Sequence, residues 1–109
     1  MFTNEEIVKI QSMGYRVFHK NFRAYIDSKP CVAYAKPIGY NLFILTNKEL
    51  ICYFKGTNGK ISIYSRRDKE PEEDILDFIK QSEDDMLGQF RPNSNFEFIS
   101  SEDIISSKL

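Results

Sequence analysis

Few residues in this chain are suited to covalent or metal chemistry, and those few lie far apart in the sequence. His19 is the only histidine, and Cys31 and Cys52 are the only cysteines. A catalytic Cys-His pair or a zinc site needs several such groups together, and nothing in their spacing brings them to one place. We therefore predict no catalytic residues, no metal site and no cofactor, and we interpret the cysteines as reduced, partly buried thiols.

Motifs that signal catalysis do not occur in the sequence either. It contains no Gly-rich phosphate loop, no His-Glu-x-x-His motif and no Gly-x-Ser-x-Gly elbow. A small enzyme of unknown reaction is the last of three functional hypotheses, and its simplest versions require His19.

Charge is distributed very unevenly along the chain. Residues 1–69 hold 12 Lys and Arg against 5 Asp and Glu, whereas residues 70–109 hold 3 against 11. The balances of +7 and −8 nearly cancel in a net charge of −1. Such an asymmetry indicates either an interaction surface or an acidic helix folded against a basic sheet.

The first functional hypothesis is that the acidic helix docks on another protein. Complementary charge accelerates association and selects partners, so a basic groove is the expected target. We predict a non-enzymatic inhibitor or regulator that acts stoichiometrically, similar in size and composition to bacterial immunity proteins and phage anti-defence proteins. The predicted contact residues are Asp77, Glu83, Asp84 and Asp85 on the helix, with Leu42, Ile44, Ile51, Tyr53 and Tyr64 on one sheet face.

The alternative hypothesis is that a basic and aromatic sheet face binds a single-stranded nucleic acid. In that arrangement lysine and arginine track phosphates while tyrosines stack on bases. The candidate phosphate contacts are Arg16, Lys20, Arg23, Lys36, Lys55, Lys60, Arg66 and Arg67. The candidate stacking residues are Tyr25, Tyr34, Tyr53 and Tyr64.

The elements that must position these residues begin with a helix over residues 4–13. Thr3 and Glu6 have the spacing of a capping box, and Phe2 and Ile7 have that of a hydrophobic staple. Gly14 follows as the expected stop. A second helix is predicted from Pro71, within a run of acidic residues, to Gly88.

Between the helices the hydrophobic period changes to two, which is typical of strands. Short connections between successive strands indicate an antiparallel meander, so we predict a single α+β domain over residues 1–109. The expected strands are 15–20, 22–26, 31–35, 40–45, 50–55 and 60–65, the first two being either separate or one bent strand. A short strand at 96–99 and a last helical turn carrying Ile104 and Ile105 are expected after the second helix.

Two hairpin turns set the expected strand registers. A turn at Asn47-Lys48 pairs Ile44 with Ile51 and Leu42 with Tyr53, while a two-residue turn at Asn58-Gly59 pairs Tyr53 with Tyr64. The central strands are then apolar on both faces, so both faces must be covered. Either the two helices cover one face each, or a partner or a second copy of the chain covers one.

The sequence also predicts a cytoplasmic protein without a membrane segment. The N-terminal residues are acidic where a signal peptide is basic, and no long apolar stretch follows them. The longest apolar run, residues 42–45, is far too short to cross a bilayer.

Overall fold

The chain forms an α+β fold, which confirms the predicted fold class. The computed structural model describes residues 2–23, 29–47, 49–56, 61–67, 74–89 and 96–97. The elements are α1 (Asn4–Ser12), β1 (Arg16–Phe22), β2 (Cys31–Ile38), β3 (Asn41–Thr46), β4 (Glu49–Gly56), β5 (Ile61–Arg67), α2 (Ile75–Gln89) and β6 (Phe96–Glu97). The strands pair antiparallel in the order β1-β2-β3-β4-β5, and β6 pairs with the end of β4.

Helix α1 begins where its local sequence predicts. The Thr3 hydroxyl accepts a hydrogen bond from the Glu6 amide at 3.1 Å, and the Glu6 carboxylate accepts one from the Thr3 amide at 3.0 Å. The helix ends one residue earlier than predicted, and Gly14 follows with a φ of 97°. That left-handed conformation favours glycine and terminates the helix.

Strands β1 and β2 differ from their predicted lengths. Strand β1 covers most of the first candidate strand and continues to Phe22, the first residue of the second candidate, whereas residues 24–28 lie outside the described part. Strand β2 continues through Lys36, Pro37 and Ile38, which we had predicted as a loop. The chain reverses at Gly39-Tyr40 instead, because Gly39 adopts the positive φ that a tight hairpin requires.

One predicted register is confirmed and the other is wrong by one residue. Ile44 pairs with Ile51 and Leu42 with Tyr53, as predicted. Strand β5, however, pairs Tyr53 with Ile63 and Cys52 with Tyr64, which does not fit a two-residue turn at Asn58-Gly59. Residues 57–60 themselves lie outside the described residues.

The error has a physical reason in the position of β5 in the sheet. The prediction assumed a two-residue turn at Asn58-Gly59, and the sorting of apolar side chains between the faces selects a register only where one face of the strand is buried. Strand β5 closes the sheet on one side, and the exposed fractions of Ile63 and Tyr64 are 46% and 41%. Neither face of β5 is therefore strongly selected by burial.

Both helices pack on the same face of the sheet, which we call the front face. The alternative in which each helix covers one face is therefore wrong. The front cluster joins Ile10 of α1 with sheet and α2 residues, which are Phe43, Leu45, Leu50, Cys52, Ile75, Phe78, Ile79 and Met86, and with Phe2, Tyr15 and Tyr34.

The opposite face, the back face, is buried within the single chain. Its cluster contains Phe22, Ala33, Leu42, Ile44, Ile51, Tyr53 and Phe54, with Phe18 and Ala35 packed against it. The exposed fractions of Ile44 and Ile51 are 0% and 1%. The predicted need for a cover is met by the chain itself, without a partner.

Helix α2 starts at Ile75, directly after Asp74, and runs one residue past the predicted stop at Gly88. The Asp74 carboxylate accepts a hydrogen bond from the Leu76 amide at 2.8 Å, which is the geometry of an N-terminal cap. This bond, with help from Lys9, holds the pKa of Asp74 below its usual value. Gly88 lies inside the helix. The predicted start at Pro71, residues 98–99 of the last strand and the predicted turn at Ile104–Ile105 lie outside the described residues.

In the described segments, no helix combines the length and the hydropathy that crossing a bilayer demands.

Candidate binding surface on the second helix

Glu83 of α2 lies in a buried polar cluster between the helix and the sheet. The Tyr15 hydroxyl donates a hydrogen bond to Glu83 Oε1, and Lys36 Nζ lies 2.9 Å from the same oxygen. Lys36 also donates to the Met13 carbonyl at 3.1 Å, and its ammonium lies 4.8 Å from the centroid of the Tyr15 ring. One carboxylate thus joins α2 to β2 and to the segment between α1 and β1.

This cluster is built to hold the helix and is poorly suited to acid–base chemistry. Burial raises the pKa of Tyr15 far above its usual value, and the hydrogen bond and charge of Glu83 raise it further. Tyr15 is therefore a neutral donor at any physiological pH. In the same cluster, burial raises the pKa of the Cys52 thiol to about 12, so a reactive thiolate is not available.

A second set of polar contacts holds α2 near its middle. The Arg66 guanidinium lies 3.1 Å from the Ser82 hydroxyl and 3.5 Å from the Asp85 carboxylate. It also lies 5.6 Å from the centroid of the Phe78 ring, within cation–π range. Both the apolar and the polar contacts of α2 therefore fix its orientation on the front face.

The ion pairs account for part of the charge asymmetry along the chain. The ion pairs among described residues include Lys9 with Asp74, Lys36 with Glu83 and Arg66 with Asp85. Each pairs an acidic residue of α2 or its cap with a basic residue from the first 67 positions. The acidic helix is thus folded against basic residues of the N-terminal half, which was one of the two interpretations of the sequence.

The outward side of α2 keeps acidic residues that these pairs do not use. Its exposed side chains recur at helical spacing, and we call them the outer face of α2: Asp77, Lys80, Gln81, Asp84 and Asp85. Asp77 and Asp84 take part in none of the three ion pairs, and the side chain of Asp85 is 61% exposed although it contacts Arg66. This face is a surface on which carboxylates point to solvent from a fixed helix.

The predicted protein-binding residues divide into accessible and inaccessible groups. Asp77, Asp84 and Asp85 are exposed, as docking requires, whereas Glu83 is buried against Tyr15 and Lys36. The predicted contact on the sheet face is not accessible in the isolated chain. Four of its five residues are buried: Leu42, Ile44, Ile51 and Tyr53. Tyr64 alone of that group is exposed, and it lies on the front face opposite Cys52.

Among the described residues, the predicted nucleic-acid contacts do not form one continuous surface. Arg16 and Lys20 are exposed on β1, and Arg23 is exposed just after it. Lys36 and Arg66 are engaged by Glu83 and Asp85. Lys60 and Tyr25 lie outside the described residues, as do the side chains of Lys55 and Arg67.

The stacking residues are equally dispersed. Tyr34 and Tyr53 are buried in clusters on opposite faces, while Tyr64 lies on β5, at the opposite edge of the sheet from β1. A row of exposed aromatics beside the basic residues, which base stacking requires, is therefore not present among the described side chains.

The residues suited to metal or nucleophilic chemistry remain apart. His19 is half-buried on β1, where its Nδ1 accepts a hydrogen bond from the Asn21 amide at 3.0 Å. Cys31 is half-buried at the start of β2, and Cys52 is fully buried on the front face. Across the described ranges, no three His, Cys, Asp or Glu side chains gather as metal ligands.

Sequence reasoning missed the central role of Tyr15. The signal that could have found it was indirect: any carboxylate of the acidic helix that is buried against the sheet requires hydrogen-bond donors around it. Tyr15, Lys36 and Glu83 lie far apart in sequence, so no local pattern links them. Comparison with known proteins adds no relative, since the chain matches no family model, no curated protein and no solved structure.

Proposed function

We propose that this protein is a non-enzymatic binding protein that docks in fixed stoichiometry on another protein, as an inhibitor or regulator. The observation that supports the proposal most directly is the outer face of α2. Asp77 and Asp84 are exposed there on a helix whose opposite side is anchored by Phe78, Ile79 and Met86. A surface that needs no rearrangement loses little conformational entropy on binding.

The chemistry of the outer face defines the partner as a protein with a basic groove. Exposed carboxylates raise the association rate with a positive surface and disfavour negative ones. A groove that normally accepts nucleic acid has this charge, and a small acidic protein would compete for it. Phosphate backbones themselves would be repelled by this face.

Capture of partners from the native host tests this proposal. We expect an immobilised wild-type chain to retain a protein partner in nuclease-treated lysate, and Asp84→Lys to lose it because it reverses one carboxylate of the outer face. Glu5→Lys is the matched control, since it makes the same change of charge on an exposed residue of α1. We expect it to retain the partner.

Two outcomes would contradict the proposal. Equal loss of the partner in Asp84→Lys and Glu5→Lys would show that net charge, and not the outer face, determines binding. Retention of the wild-type chain on heparin, with steep salt dependence and loss on Lys20→Glu, would instead support the nucleic-acid hypothesis.

A further inference from the structure

The ammonium group of Lys36 lies at the point where both helices meet the sheet. It donates a hydrogen bond to the Met13 carbonyl at 3.1 Å and lies 2.9 Å from Glu83 Oε1. Met13 is the C-cap of α1, and Glu83 belongs to α2. A single side chain of β2 therefore contacts both helices. This side chain is 18% exposed, so water offers its ammonium few alternative partners.

On the side of α1, Lys36 acts as a cap that another element supplies. Carbonyls at the C-terminal end of a helix lack partners within the helix and carry partial negative charge, which a cation stabilises. Gly14 follows with a φ of 97°, and the Lys36 side chain passes close to it. A Cβ added at residue 14 would lie 3.1 Å from Lys36 Cδ, which is tighter than an ordinary contact. The position of the ammonium therefore depends on how α1 ends.

On the side of α2, Glu83 follows the ammonium. The Glu83 side chain is 11% exposed, and its Oε1 also accepts the hydrogen bond of the Tyr15 hydroxyl. A buried carboxylate that loses its cation is strongly destabilised, so a displaced ammonium takes Glu83 with it. Packed helices shift as units by about 1–2 Å. A shift at Glu83 therefore displaces the neighbouring Asp84 and the rest of the outer face.

We propose that Lys36 is a positioning residue that couples the end of α1 to the outer face of α2. The outer face is therefore open to control from a part of the molecule that it does not touch. Coupling between two sites is reciprocal, so a partner bound to the outer face also stabilises the end of α1. The inference rests on the proposed function for the role of the outer face, but the coupling itself is measurable without a partner.

A more exposed contact also joins the helices. Lys9 of α1 lies 3.4 Å from Asp74, and their side chains are 45% and 48% exposed. Ion pairs this accessible contribute little, because water and salt screen them. The shielded contacts of Lys36 are therefore the stronger polar link between the end of α1 and α2.

The distance between α2 and the far edge of the sheet tests the coupling. Spin labels at Gln81→Cys, in the outer face, and at Lys20→Cys, on β1, report this distance, because both side chains are exposed. Helix α2 contacts β4 and β5. Strands lie about 4.8 Å apart, so β1 and β5 are separated by roughly 19 Å, which pulsed electron paramagnetic resonance can measure. Cys31→Ser removes the half-buried native thiol, and Cys52 is buried.

We expect the chain with Lys36 intact to give one narrow distance distribution. Lys36→Met should shift or broaden it by about 2 Å, because the methionine fills similar space but bonds neither helix. Lys36→Arg keeps the charge and the donors, so its distribution should stay closer to that of the intact chain. Ile44→Val is the matched control, since it loosens the back cluster, away from α2, and should leave the distance unchanged.

A change at the end of α1 tests the transmission directly. Gly14→Ala leaves every charge in place, but its Cβ meets the Lys36 side chain, so we expect a change of distance like that in Lys36→Met. The variant also keeps the test valid if Lys36→Met does not fold. In the double variant the two changes should not add, because both act through one set of contacts.

Several results would overturn the proposal. One is an unchanged distance in Lys36→Met and Gly14→Ala. Another is a change in Lys36→Arg or Ile44→Val as large as that in Lys36→Met, and a third is full additivity in the double variant. Because no partner is present in these measurements, a coupled distance in a chain that captures no partner would refute the proposed function alone.

Discussion

The front and back faces share strands β3 and β4 but differ in what accompanies their apolar side chains. Beside the front cluster, Tyr15, Lys36 and Glu83 make polar contacts beneath α2. The back cluster consists of aliphatic and aromatic side chains around Ile44 and Ile51. Apolar burial supplies most of the stabilisation on both faces, because it scales with the area removed from water.

The difference teaches what the polar contacts are for. An apolar stripe alone allows a helix to rotate or slide on a sheet, whereas a hydrogen-bonded carboxylate must meet its donors in one position. The Glu83 oxygen that contacts both Tyr15 and Lys36 therefore determines where α2 lies. In consequence it also determines which side of α2 faces solvent. This specifying role of a buried ion pair is a hypothesis that substitution can test.

The largest expected effect is on the front face, from Glu83→Leu. It leaves the Lys36 ammonium without a carboxylate and the Tyr15 hydroxyl without an acceptor, so the free energy of unfolding should fall by about 3–5 kcal/mol in urea titrations. Replacing the whole cluster by Tyr15→Phe, Lys36→Met and Glu83→Leu should recover most of that loss. A Glu83→Leu variant as stable as the wild type would refute the role assigned to Glu83.

A slightly smaller effect is expected from substitutions at two neighbouring residues of β3, which compare the two faces directly. Ile44 faces the back and Leu45 the front, and both are fully buried. We expect Ile44→Ala and Leu45→Ala each to lower the free energy of unfolding by about 2–5 kcal/mol. If Ile44→Ala alone costs less than about 1 kcal/mol in the monomer, the back face is not well packed by the chain itself.

The smallest effect is a pH dependence confined to the front face. Burial and the Glu83 contact raise the pKa of Tyr15, whereas in the unfolded chain it titrates near about 10. Above that pH the unfolded state binds fewer protons, so stability falls by up to about 1.4 kcal/mol per pH unit from this group. Urea unfolding from pH 8 to 11 should show this decline, reduced in Tyr15→Phe; an identical decline in both chains would exclude Tyr15 as its source.

Local sequence signals predicted the elements that depend on neighbouring residues. The capping box of Thr3 and Glu6 and the hairpin register of Ile44 with Ile51 are confirmed because their determinants lie within a few residues. The apolar run through β3 also predicted that both sheet faces are covered. It could not predict which elements cover them, because that choice depends on the path of the whole chain.

The candidate surface was predictable only in part, for a similar reason. The acidic run indicated a charged helix, but only the helical phase set by the front cluster separates Asp84, which is exposed, from Glu83, which is buried. The register of β5 could not be obtained from hydrophobic sorting, because Ile63 and Tyr64 are exposed on opposite faces of an edge strand. In each case the missing information was long-range.

Because Cys52 is buried, the reactivity of its thiol reports transient opening of the front cluster. The thiol has no exposed surface in the front cluster, and its pKa of about 12 keeps it protonated at neutral pH. A thiol reagent can consequently modify Cys52 only during a transient opening of that cluster. In a Cys31→Ser chain the labelling rate at Cys52 would therefore report how often the helices separate from the sheet, without a reporter residue introduced into the core.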